Sequence, residues 1–134
     1  MGLTERLERA REVSVSVSGR RTTLDPDGKA EFFTLLKEVF SGGYEMPALG
    51  VSLDSEVQRA LDEGVWVLFS FAKTEIYNEM PFDLLAVKLI PGSCGMEFMR
   101  SVAGKFGGRD YYYSLRRGKN ADALIAFAEA RAGE

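Results

Sequence analysis

The sequence has no histidine and a single cysteine, Cys94. The first absence removes Ser-His-Asp and Cys-His chemistry, imidazole-bound zinc and the usual general base near neutral pH. Any catalysis would have to use carboxylates, lysine, tyrosine or Cys94. The second rules out an intramolecular disulfide and fits a reducing compartment. Long apolar runs are also missing. No run, Val65 to Phe69 included, approaches the ~20 residues that span a bilayer. Residues Met1 to Arg9 mix acids and bases where a signal peptide would be apolar. The expectation is a cytoplasmic protein with no membrane partner.

What is present is ordinary for a globular chain: 134 residues, 46% hydrophobic and 28% charged. No linker, low-complexity tract or composition break divides it, so residues 1–134 are expected to form one domain. The net charge of −3 gives no general attraction to nucleic acid. It is unevenly spread, however. Asp25 to Glu63 holds nine acids against three bases, and Arg100 to Lys119 six bases against one acid, Asp110.

Periodicity gives the elements. Leu3 to Glu12 fits a short amphipathic helix, and Val13 to Ser18 alternates as a half-buried strand does. Gly19-Arg20 suits a hairpin turn into Arg21 to Leu24. Asp25 caps a helix with Pro26 at its first position, running to Phe40 before Ser41-Gly42-Gly43. Tyr44 to Leu53 reads as loop or short extended chain, and Asp54 to Glu63 as a second helix. The apolar Val65 to Phe71 is a central strand covered on both faces. Thr74 to Tyr77, Asp83 to Ile90 and Asp110 to Leu115 are further strands. Met96, Met99, Ala103 and Phe106 recur at helical spacing and predict a helix there. Asn120 caps a last helix. The fold class expected is α+β: a mixed, mostly antiparallel sheet of about five or six strands with helices packed on it.

Few motifs carry chemistry. Glycines at 92 to 95 and 104 to 108 fit neither phosphate-binding nor dinucleotide-binding patterns. Asp25-Pro26-Asp27-Gly28 starts like a calcium loop, but Lys29 stands where a ligand belongs. No metal and no cofactor are expected. Acid pairs such as Asp62-Glu63, or Glu75 with Glu79, read as surface charge. Glu45-Met46-Pro47 recurs as Glu79-Met80-Pro81, two similar strand-entry turns and no duplication.

Cys94-Gly-Met-Glu-Phe-Met-Arg100-Ser101 resembles, over eight residues, the phosphate-binding loop of protein tyrosine phosphatases. There a thiolate attacks phosphorus and an arginine grips its oxygens. The resemblance implies a nucleophilic Cys94 and an anion-binding Arg100. It departs at Ser93, where the family has histidine, and at Glu97, where it has glycine. The segment from Arg100 to Lys119 combines six bases with Phe106, Tyr111, Tyr112 and Tyr113. Lys105 to Arg109 resembles the start of the RNP1 signature of RRM domains. Phosphate contacts from Arg109, Arg116 and Arg117 beside stacking from Tyr111 and Tyr113 would make an anion or single-strand binder. Arg20-Arg21 would join that face if the first hairpin lay beside Tyr111.

The expectation weighed highest is a non-enzymatic binding or interaction domain that associates with itself. The basic tyrosine segment as a nucleic-acid or anion site comes second, and an enzyme built on Cys94 third.

Overall fold

A computed structural model describes residues 2–47 and 50–132. Among them the chain forms one open antiparallel sheet of nine strands with four helices packed on it. This is the expected α+β class with more strands.

The first hairpin is β1 (Glu12–Val17) and β2 (Arg20–Thr23). Its turn is Ser18-Gly19, one residue earlier than expected, because Val17 pairs with Arg20. Helix α1 (Leu3–Leu7) precedes it, and α2 (Pro26–Phe40) follows. Asp25 caps α2 as the sequence predicts, its Oδ1 accepting from Gly28 N at 2.7 Å. That capping accounts for Asp25 to Gly28 without a metal. The chain then lays down β3 (Tyr44–Met46) and β4 (Val51–Leu53), and α3 (Asp54–Ala60). Three long strands follow: β5 (Val65–Tyr77), β6 (Met80–Leu89) and β7 (Gly95–Val102). β8 (Lys105–Arg109), β9 (Tyr111–Ser114) and α4 (Asp122–Ala132) complete the order.

The helix predicted around Met96 to Phe106 is absent, and β7 and β8 stand in its place. The reason is that both faces of the sheet are apolar here. Met96 and Phe98 point to the main core, and Phe106 and Met99 to a second cluster behind the sheet. A three-residue apolar spacing reads as one helical face, but it also arises when a strand feeds two cores in turn.

The main core lies between the sheet and α1, α2 and α4. Phe69 and Phe98 meet at 6.2 Å, and Phe40 stacks on Tyr113 at 4.0 Å between centroids. Behind the sheet, Val57 of α3 packs with Trp66, Leu68, Ala86 and Phe106. The Trp66 indole donates to Glu63 O at 2.9 Å and Ala60 O at 3.2 Å, satisfying carbonyls where α3 ends.

The sheet order is β2-β1-β5-β6-β7-β8-β4, with β9 also beside β7 and β3 beside β9. Thus β7 serves two partners on one side. Ser101 faces Phe106 of β8, and Phe98 faces Tyr111 of β9. Three steps along β7 are matched by five along the outer chain, so the register slips by two residues. No helix among the described residues is long and apolar enough to cross a membrane.

Two-residue turns with both φ positive close three hairpins: Ser18-Gly19, Asn78-Glu79 and Ala103-Gly104. Glu79 and Ala103 carry a Cβ at φ 64° and 51°, a conformation that costs an L-residue about 1–2 kcal/mol. Glycine escapes that cost but loses more chain entropy on folding. Replacing Glu79 by Gly is therefore expected to stabilise the fold by about 0.5–1 kcal/mol, measured as a higher denaturation midpoint. An unchanged or lower midpoint contradicts the strain assigned to this turn.

Candidate functional site

The register slip creates a place where ionisable side chains converge inside the sheet. Asp110 sits between β8 and β9, outside both ladders, and only 3% of it is exposed. Its backbone N donates to Gly50 O at 3.2 Å. Its Oδ1 accepts from the buried Ser52 hydroxyl of β4 at 2.6 Å. Glu97 of β7 approaches from the other side. A methyl group placed on Gly50 would overlap Glu97 Oε1 and touch Asp110 Oδ2 at 3.4 Å. Gly50 therefore lies directly against both carboxyl groups.

Burial raises Asp110 from 3.8 to about 7, with the neighbouring Glu97 adding to the rise. The Ser52 hydrogen bond and Arg100 oppose it. Arg100 cannot compensate fully, because its guanidinium is committed elsewhere. Its Nε donates to Arg109 O and its Nη1 to Pro81 O, each at 2.7 Å. A Cβ on Gly108 would overlap its Nη2, so the glycine lets the guanidinium lie against the backbone.

Two cavities adjoin Asp110. One of about 390 Å3 is lined by Val57, Ala60, Trp66 and Met99, with Glu56, Glu97 and Asp110 as its acids. The other, about 560 Å3, has Glu45, Glu79, Asp110 and Arg109 as its charged groups. It also gathers both Glu-Met-Pro repeats: Glu45, Met46 and Pro47 from one, Glu79 and Met80 from the other. Glu45 is a structural joint. Its carboxylate accepts from Leu3 N at 2.6 Å and from the Tyr77 hydroxyl. It thereby ties α1 to β3 and the β5–β6 hairpin. Burial and Glu45 raise the Tyr77 hydroxyl above its usual range.

The residues singled out from sequence fall apart spatially. Cys94 is exposed in the turn before β7, and Arg100 is buried near the far end of that strand. Along six extended residues the two lie on the order of 20 Å apart, so no phosphate-binding loop brings them together. Tyr111 and Tyr113 belong to the main core. Tyr111 donates to Tyr77 O at 2.7 Å, and Tyr113 to Phe40 O at 2.9 Å. Burial raises Tyr111 to about 12 and moves Tyr113 upward as well. Arg109, Arg116 and Arg117 are exposed. Arg20 and Arg21 lie on β2, five strand spacings from β9, roughly 24 Å, so the two arginine sets form no common face. Glu75 pairs with Arg6 at 3.2 Å and Arg9 at 3.6 Å, away from Glu79 at its hairpin tip. Among the described residues no three acids or thiols group as metal ligands.

Sequence reasoning missed the pair that does converge. Glu97 and Asp110 are thirteen residues apart and belong to no local motif. The available signal was Asp110 itself, the lone acid among six bases in the tyrosine-rich segment from Arg100 to Lys119. The chain matches no protein-family model, no curated protein and no solved structure.

The folded state holds the Asp110 proton more tightly than the unfolded chain does. Its contribution to stability is complete below the unfolded value and is lost as pH rises through about 7. The Asp110→Asn protein keeps an acceptor for Ser52 and cannot ionise. Between pH 4 and pH 8 the wild type is expected to lose about 1–2 kcal/mol relative to that variant. Parallel urea-denaturation curves at both pH values would contradict the assignment.

Proposed function

We propose that this chain is an interaction domain that pairs through the outer edge of its sheet, with a second copy of itself as partner. One observation carries the reading. Among the described residues, β3 and β4 have no strand on their outer side. They expose Tyr44, Met46, Val51 and Leu53, each between 42% and 64% accessible. Four of the seven exposed large apolar side chains among the described residues thus lie on the sheet's last strands.

Free edges normally carry charge, because unpaired N–H and C=O groups recruit any extended chain. The opposite edge obeys that rule: β2 is Arg-Arg-Thr-Thr, with both arginines exposed. A copy approaching there meets like charge. On β3 and β4 the only charged residue is Glu45, and its carboxylate is engaged by Leu3 N and Tyr77. Two copies related by a two-fold axis can set these strands antiparallel with no like charges opposed. Such an isologous contact closes on itself and stops at a dimer. The tyrosine stacking that a single-stranded nucleic acid would require is spent internally at Tyr111 and Tyr113.

Sedimentation velocity over micromolar concentrations tests the reading. The wild type is expected at twice the 14.8 kDa chain mass. Val51→Lys with Leu53→Lys should weaken association by about tenfold or more and leave the circular dichroism unchanged. Arg20→Ala should leave the mass as it is. A wild type that stays at the monomer mass throughout overturns the proposal.

A further inference from the structure

We propose that Glu97 and Asp110 form a proton-operated latch on the outer edge, closed while the two carboxyl groups share one proton and loosened when both are charged. As regulation of self-association it rests on the edge reading above. As a property of β4 it stands apart from it.

The geometry is that of a fastening. β4 has three residues, and Ser52 is the only buried one. Ser52 bonds Asp110 Oδ1 at 2.6 Å, and the residue two positions earlier, Gly50, accepts from Asp110 N. The side chain and backbone of this one aspartate therefore both grip the segment that carries β4. Glu97 is anchored differently. β7 lies between β6 on one side and β8 and β9 on the other, so it has little freedom to move.

With one proton between them, the carboxyl groups carry a single charge and can hydrogen-bond to each other. When that proton leaves, the buried Asp110 carboxylate faces the neighbouring Glu97, and burial and Glu97 both disfavour its charge. The surrounding groups relieve the charge on Asp110 only in part. From α3, Glu56 lines the same cavity as both acids. From β3 and the hairpin tip, Glu45 and Glu79 line the cavity on the other side, against Arg109. Arg100 of β7 is held by two carbonyls. The element free to give way is the outermost one, β4, which its register ties to β8 by only three residue pairs. Burial places the transition close to neutrality.

Hydrogen exchange of the Ser52 amide, the β4 amide turned toward β8, reads the latch directly once corrected for the intrinsic pH dependence of exchange. It is measured on the wild type, Asp110→Asn and Glu97→Gln, about one pH unit either side of 7. Leu53→Lys is included as a chain weakened in pairing at its edge. Protection of β4 in the wild type and in Leu53→Lys is expected to fall about tenfold with rising pH. It should stay level in Asp110→Asn and Glu97→Gln, with the β6 amides unchanged in all four proteins. Level protection in the wild type overturns the latch, as does an equal fall in Asp110→Asn. The dimer mass is followed in the same samples. A pH-responsive β4 in a chain that is always monomeric supports the latch and removes the edge reading. A dimer at both pH values with a level β4 removes the latch alone.

Discussion

β7 has to satisfy two neighbours on one side, and the outer half of the molecule follows from how it does so. Near its end it pairs with β8, near its start with β9, and the outer chain takes two more residues than β7 to make the change. A residue dropped from a ladder must turn its backbone groups and side chain somewhere. Asp110 turns its N–H to Gly50 and its carboxyl to Ser52, and so recruits the next strand outward. The slip then repeats between β3 and β4, which pair with β9 and β8 respectively. The cavities, the carboxyl pair and the short, poorly guarded edge have this common origin.

The two faces of the sheet explain what was legible in the sequence. α2 was readable to the residue because its signals are local: Asp25 bonds its own third neighbour, and Pro26 costs nothing at the first helical position. The central strand at Val65 to Phe71 was readable because an almost wholly apolar run needs cover on both faces, and α3 supplies the second cover. β7 was not readable for the same physical reason. With cores on either side, its apolar residues no longer mark one face, and only pairing with β6 and β9 decides the outcome. β3 and β4 read only as loop or short extended chain because three residues each carry too little pattern to signal a strand.

The carboxyl pair lay deeper still. Glu97 entered only as a departure from a phosphatase-like loop, and Asp110 as the exception in a basic segment. Their meeting depends on a register slip that no sequence rule anticipates. The exposed arginines and buried tyrosines make the complementary point. Linear clustering of Arg109, Tyr111, Tyr113, Arg116 and Arg117 implies a shared surface, but alternation along β9 sends two of the tyrosines into the core.

The pairing of residues 44–46 with 112–114, and of 51–53 with 107–109, has a consequence for synthesis. β3 and β4 leave the ribosome about sixty residues before the strands that seat them. The intervening hairpins close through local turns, so the centre of the sheet can assemble early. Throughout that interval an apolar stretch of extended chain, with neither of its hydrogen-bonding sides filled, stays open to other nascent chains. These two strands are thus made well before the strands that seat them, and their exposed apolar side chains wait through the synthesis of the sheet's centre.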